Sequence, residues 1–173
     1  MKIFTGKLLV LCVGLLLVGT WGILLLQRRG IRNQGSITHG NHWCVQEEDC
    51  IQEAVFRYQI QNPEGHRSWD LFFLAASERN DPNDEVLKRL RNNSFRVRPV
   101  SESVDKHAVI KDKETDEAGV ILTVGKVTWI GKTRVEVGLS AYSGFGDAKG
   151  YIFELARGED GWTVKNRRFA FET

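Results

Sequence analysis

The sequence predicts one α+β domain carried behind an N-terminal membrane anchor. Three observations predict it. Residues 8–26 contain no charge. Beyond them, apolar residues fall at helical spacing in only two segments. The last third alternates at period two between short turns. Of the 173 residues, 42% are hydrophobic and 27% charged, a globular balance rather than a disordered one.

The anchor comes first. Residues 8–26 read LLVLCVGLLLVGTWGILLL, flanked by Lys7 and by Arg28-Arg29. At about 1.5 Å per residue, this run just spans a hydrocarbon core of roughly 30 Å. Backbone groups in lipid must pair internally, so the segment is expected to be a helix. A cleaved signal peptide has an apolar core of about 7–15 residues and a small-x-small site. This run is longer, and Val18-Gly19-Thr20 is a poor site. Basic residues flank both sides almost equally. The short leader favours a cytoplasmic head and an exported domain. Residues 1–29 thus form the anchor.

The charges divide the same way. The formal net charge is +2. Lys2, Lys7, Arg28 and Arg29, with no acid among residues 1–29, give that segment +4 and leave −2 for the remainder. A nucleic-acid-binding domain would concentrate positive charge on one face, so no nucleic-acid partner is expected. Residues 30–42 are rich in Gly, Ser and Asn and read as a tether. The soluble domain is assigned to residues 43–173.

Within that domain the first element is a helix over 47–60. Ile51, Ala54, Val55 and Tyr58 recur at its period, and Glu47, Glu48 and Asp49 suit the positive end of its dipole. Pro63 and Gly65 end the region. Residues 69–76, WDLFFLAA, form a short apolar run and read as a buried strand. Asp81 as cap and Pro82 at the first position start a shorter helix, with Val86, Leu87 and Leu90 inward. Phe95, Val97 and Pro99 alternate with Arg96 and Arg98. That marks an edge strand, because proline cannot donate to a ladder. The charged, weakly patterned stretch 101–118 reads as a surface loop. Strands over 120–130, 133–142, 150–157 and 162–171 follow, joined by short turns, and predict an antiparallel meander.

Several of these residues carry a resemblance: Ala54-Val55-Phe56-Arg57-Tyr58-Gln59, the Asp81-Pro82 helix start, and in the meander Gly119-Val120-Ile121, Trp129-Ile130, Val135-Glu136-Val137, Tyr151 and Gly161-Trp162-Thr163-Val164. In them the chain resembles a group of uncharacterised bacterial secreted or membrane-anchored proteins, over roughly two-thirds of its length. The element order is similar to the cone-shaped cystatin-like or nuclear-transport-factor-like fold. The resemblance implies a curved antiparallel sheet of about five to six strands packed on one long and one short helix. It brings no activity to transfer, and the fold alone does not fix one.

Candidate chemistry is sparse. Gly131-Lys132-Thr133 lacks the loop spacing and following helix of a phosphate-binding loop and reads as a hairpin turn. Gly144-Phe145-Gly146 lies between two strand-like runs, so it reads as a hairpin connection, not a dinucleotide fingerprint. His39, His42, Cys44 and Cys50 concentrate ligand atoms and are weak metal candidates, since their spacing fits no strong zinc pattern. In an oxidising compartment Cys44 and Cys50 could instead close a disulfide; otherwise they are free thiols. His66 and His107 stand alone in expected loops. No carboxylate pair or nucleophile motif licenses catalysis, so no catalytic or cofactor-binding residue is assigned. The aromatics, Tyr58, Trp69, Phe72, Phe73, Trp129, Tyr142, Tyr151, Phe153 and Trp162 among them, are expected to fill a core. Alternatively, some line a pocket mouth. Lys165, Arg167 and Arg168 are expected on an exposed strand face.

These readings imply a non-enzymatic binding or interaction domain held on the extracytoplasmic side of a membrane. The membrane is engaged through residues 8–26. The other partner is protein, lipid or envelope polymer. The alternative is a small-molecule pocket protein, or a hydrolase- or isomerase-like enzyme using an aromatic cavity.

Overall fold

A computed structural model describes residues 46–63 and 69–173. All of them belong to the second of two units, Met1–Ile37 and Thr38–Thr173. The expected anchor, 8–26, lies outside the described residues. Among the described residues no helix is long and apolar enough to cross a membrane.

The described chain is α+β, with two helices, a six-stranded sheet and a separate two-stranded hairpin. Helix α1, Glu47–Gln61, carries its three acids in the first turn, at the positive end of its dipole. Asn62 stops it: both its backbone N–H and its side-chain amide donate to the Tyr58 carbonyl, at 3.0 and 2.9 Å. Pro63 cannot continue the turn. Strand β1, Phe72–Ala76, is followed by helix α2, Asp84–Asn92, and strand β2, Val97–Pro99. The cap of α2 is Asn83, whose side chain accepts from the Glu85 N–H at 3.0 Å, not the expected Asp81. Asp81 accepts instead from the Ser101 N–H at 2.9 Å and ties the helix start to the segment after β2.

The sheet is mixed, which corrects the all-antiparallel expectation. Its order is β2-β1-β5-β6-β7-β8, where β5 is Val120–Gly131, β6 Arg134–Gly144, β7 Asp147–Gly158 and β8 Gly161–Glu172. Strand β1 pairs parallel with β2 and with β5, in the registers Phe72↔Val97 and Phe72↔Val120. The reason is the connection: a strand that returns through a helix re-enters its sheet parallel. Strand β1 is accordingly apolar on both faces. The antiparallel meander holds for β5, β6, β7 and β8.

The stretch expected as a loop contains a hairpin. Strands β3, Ser103–Lys106, and β4, Val109–Asp112, pair antiparallel around His107 and Ala108, both at positive φ. Leu71, Phe73 and Ile110 form a small second core with Ile121 and Tyr142, so the hairpin covers one end of the sheet's rear face.

The main core lies on the front face. Ile51, Val55 and Phe56 of α1, with Val86, Leu87 and Leu90 of α2, cluster with Val124, Val137, Leu139, Phe153, Leu155 and Trp162 of the meander. At about 1.5–3 kcal/mol per fully buried large apolar side chain, this cluster dominates the drive to fold.

Candidate interaction surface

Strand β8 is one edge of the sheet, and among the described residues no strand pairs with its outer side. Its first residues are held: Trp162 is buried, and Trp129 meets it edge-to-face at 5.6 Å. From Lys165 onward all but Arg167 are exposed. Two register shifts against β7 make Lys165 and Ala170 extra residues in β8, the signature of β-bulges. Between them 166–169 is regular strand.

The far end of this edge is aromatic. Phe169 is 59% exposed and touches Tyr151 edge-to-face at 6.0 Å. Phe171, 47% exposed, lies over Gly150, where a Cβ would collide with its ring. The chain end is tied to the neighbouring β6–β7 turn. Thr173 donates through its backbone N–H to the Ala148 carbonyl and through its hydroxyl to the Gly146 carbonyl. At the tip of that turn, Phe145 has φ +54° and is 79% exposed. A bulky residue in the left-handed region costs about 1–2 kcal/mol, and no buried surface compensates it here. Gly144, at φ +104°, packs so close to the Ala108 carbonyl that no side chain fits.

Arg167 departs from the expected exposed face. Its guanidinium sits 5.7 Å from the Tyr58 ring centre and 5.1 Å from that of Tyr151. It donates to the Asn62 carbonyl at 3.0 Å and to Gln59 Oε1 at 3.4 Å. It thereby bridges the C-terminal end of α1 to β8, where the helix dipole favours a cation. Lys165 and Arg168 do face solvent, and Arg168 reaches Glu136 at 3.0 Å. Lys149 pairs with Glu172 at 3.0 Å, and the hydrogen bond its ammonium donates to that carboxylate raises the Lys149 pKa.

Two polar clusters lie elsewhere, and sequence reasoning missed both. Along α1, Asp49, Glu53 and Arg57 are buried on the side facing α2. Glu53 holds Arg57 and Arg89 at 2.5 Å each, and Asp49 accepts from the Asn83 amide at 3.0 Å. Spacing of four along α1 was the available signal, because it stacks these charges on one side of the helix. The cluster joins the helices. Among the described residues, Arg57 Nε and Arg89 Nη2 have no hydrogen-bond acceptor. The second cluster centres on buried Asp112. It accepts from the Thr115 N–H at 2.8 Å, the Glu114 N–H at 3.0 Å and the Thr115 hydroxyl at 3.1 Å. Arg98 Nε lies 3.2 Å from its other oxygen. Burial pushes the Asp112 carboxyl up, but the two amides, the hydroxyl and the Arg98 charge outweigh it, so its pKa is lowered.

The residues singled out from sequence do not converge. His39, His42, Cys44 and His66 lie outside the described residues. Cys50 is half-buried in α1 and disulfide-bonded, with its partner outside the described residues. A disulfide sulfur offers no thiolate to a metal. Among the described residues, no three His, Cys, Asp or Glu side chains are grouped to hold a metal ion. His107 sits in the β3–β4 turn. Gly131-Lys132-Thr133 forms the β5–β6 turn, and Gly144-Phe145-Gly146 the β6–β7 turn. Phe72, Phe73, Tyr151, Phe153 and Trp162 are buried, while Tyr58 and Trp69 pack partly buried against the core. Trp129 is exposed.

Compared with protein families, with curated proteins and with solved structures, the chain finds no match in any of the three.

Proposed function

We propose that this chain is a non-enzymatic binding module, held by residues 8–26 at the extracytoplasmic side of a membrane. Its binding surface is the open β8 edge together with the Phe145 tip. The observation that carries this reading is the exposure of Phe145, Phe169 and Phe171 around one end of the sheet. Scattered apolar residues are ordinary on a surface. A strained, exposed phenylalanine is not, because its backbone conformation costs stability without local return. The architecture we propose is cystatin-like, in its broad sense of a meander wrapped against a long helix. The supporting feature is α1 laid on β5 and β8; the parallel β1 is a departure from an all-antiparallel sheet.

The test is site-specific photocrosslinking in native membranes. A photoreactive residue is placed at Phe145, at Phe171 and, as a control, at exposed Lys88 on α2. Discrete adducts at the first two positions and none at the control are expected. Equal labelling at all three sinks the reading.

A further inference from the structure

We infer that β8 accepts an extended, acidic segment of a partner protein as a seventh strand. This rests on the binding-module reading and specifies its partner. Strand addition satisfies the free N–H and C=O groups of an edge, while side-chain pockets and charges select the sequence.

Charge chooses the occupant. Strand β8 carries Lys165, Arg167 and Arg168 against one acid, Glu172, which is already taken by Lys149; Arg167 is held at the end of α1, and exposed Arg168 shares its charge with Glu136. Among the described residues Lys165 has no carboxylate within ion-pair distance. A second copy of the chain fits badly. An antiparallel pair about a two-fold axis sets one residue opposite its own copy. Centred on Arg168, in the regular stretch between the bulges, it sets guanidinium against guanidinium. Like charges directly opposite destabilise a strand pair. An incoming strand with carboxylates alternating with apolar residues avoids this. Its carboxylates face Arg168, with Lys165 at the bulge beside it, and its apolar side chains meet Phe169 on the opposite face. The bulges at Lys165 and Ala170 restrict regular pairing to 166–169, so a short segment docks and an open-ended sheet does not grow.

The test uses the full chain in detergent micelles and two synthetic peptides of about eight residues, near the usual strand length. One alternates Glu with Val, the other Lys with Val. Binding is read by titration and by hydrogen exchange over Gly161–Glu172. The Glu peptide is expected to bind about tenfold tighter than the Lys peptide and to slow exchange in β8. The double variant Lys165→Glu, Arg168→Glu is expected to reverse that preference. Both substitutions are at exposed positions, and an unchanged exchange pattern in β5 and β6 verifies the fold. Equal affinity for both peptides, or binding without slowed exchange in β8, overturns strand addition. Crosslinks at Phe145 and Phe171 with no peptide protection of β8 retain the binding module and reject this partner. Absence of both rejects both.

Discussion

Strand β2 has three residues and ends in Pro99, whereas β8, at the opposite edge of the same sheet, has twelve and ends in exposed aromatics. The short edge is closed by several devices. Proline withholds a donor. A 3-10 turn, Val100–Glu102, leads directly away from it. Arg91 Nε donates to the Val97 carbonyl at 3.1 Å. Arg96 forks onto Glu117 at 2.7 and 2.6 Å, and Arg98 reaches Asp112, Glu102 and Glu114. The long edge has bulges and cations, which discourage random pairing, but no covering strand among the described residues. One edge is thus tied into the fold by its own residues, and the other has no strand paired with it among the described residues.

The largest effect is expected from breaking the closed edge at its centre. Asp112→Ala removes the acceptor of two amides and a hydroxyl and leaves Arg98 without its buried partner. A loss of roughly 3 kcal/mol in denaturant-measured stability is expected. The pH dependence has a definite sign. Asp112, Asp116 and Glu117 all have lowered pKa values, Asp116 to about 2 through its hydrogen bonds from Lys106 and Lys111. Stability from a lowered carboxylate is present above its ordinary value and lost as pH falls through its folded value. Hydrogen-exchange protection in β2, β3 and β4 is therefore expected to fall between pH about 4 and about 2, before that of β7. Simultaneous loss in β2 and β7 would remove the contrast.

Gly144 and Gly150 carry the same contrast at single residues. A Cβ at Gly144 meets the Ala108 carbonyl, which is backbone, and φ is +104°. A Cβ at Gly150 meets the ring of Phe171 first, an exposed side chain able to swing aside. Gly144→Ala is expected to cost about 2 kcal/mol. Gly150→Ala is expected to change stability by less than about 1 kcal/mol, since alanine also relieves the entropy cost of glycine in a strand. Thermal unfolding of the two variants side by side checks this. Equal losses would mean that the Phe171 side chain is as fixed as backbone.

The same contrast explains what could be read from sequence. The meander was legible because each strand alternates and each turn is short; 162–171, for example, differs from Gly161–Glu172 by one residue at each end. Strand β2 was legible through Pro99. The β3–β4 hairpin was not, because its two turn residues at positive φ are His107 and Ala108, where asparagine and glycine are the usual signals. Parallel pairing of β1 was missed although its continuous apolar run signals burial on both faces. Asp49 was legible only as a first-turn acid, and Glu53 and Arg57 were assigned no role, since nothing in α1 alone announces that Arg89 of α2 will cover them. Arg167 was read as exposed for the same reason: Tyr58 and Tyr151 are distant in sequence and meet only in the folded sheet.

The smallest expected effect is the one that most directly separates fold from function at the open edge. Phe145→Gly replaces a side chain that buries little with the residue that adopts φ +54° freely. If Phe145 served the fold, the substitution would lower stability. Relief of the left-handed conformation instead predicts a gain of up to about 1 kcal/mol, reduced by the added freedom of glycine in the unfolded chain. Under the binding-module reading, the same variant loses crosslinks made through Phe171, because the tip and the β8 end form one surface around Gly146 and Thr173. A gain in melting temperature together with lost crosslinks means the strain at Phe145 is retained for a partner. A gain with crosslinks intact confines the partner to the strand edge and removes the tip from its footprint.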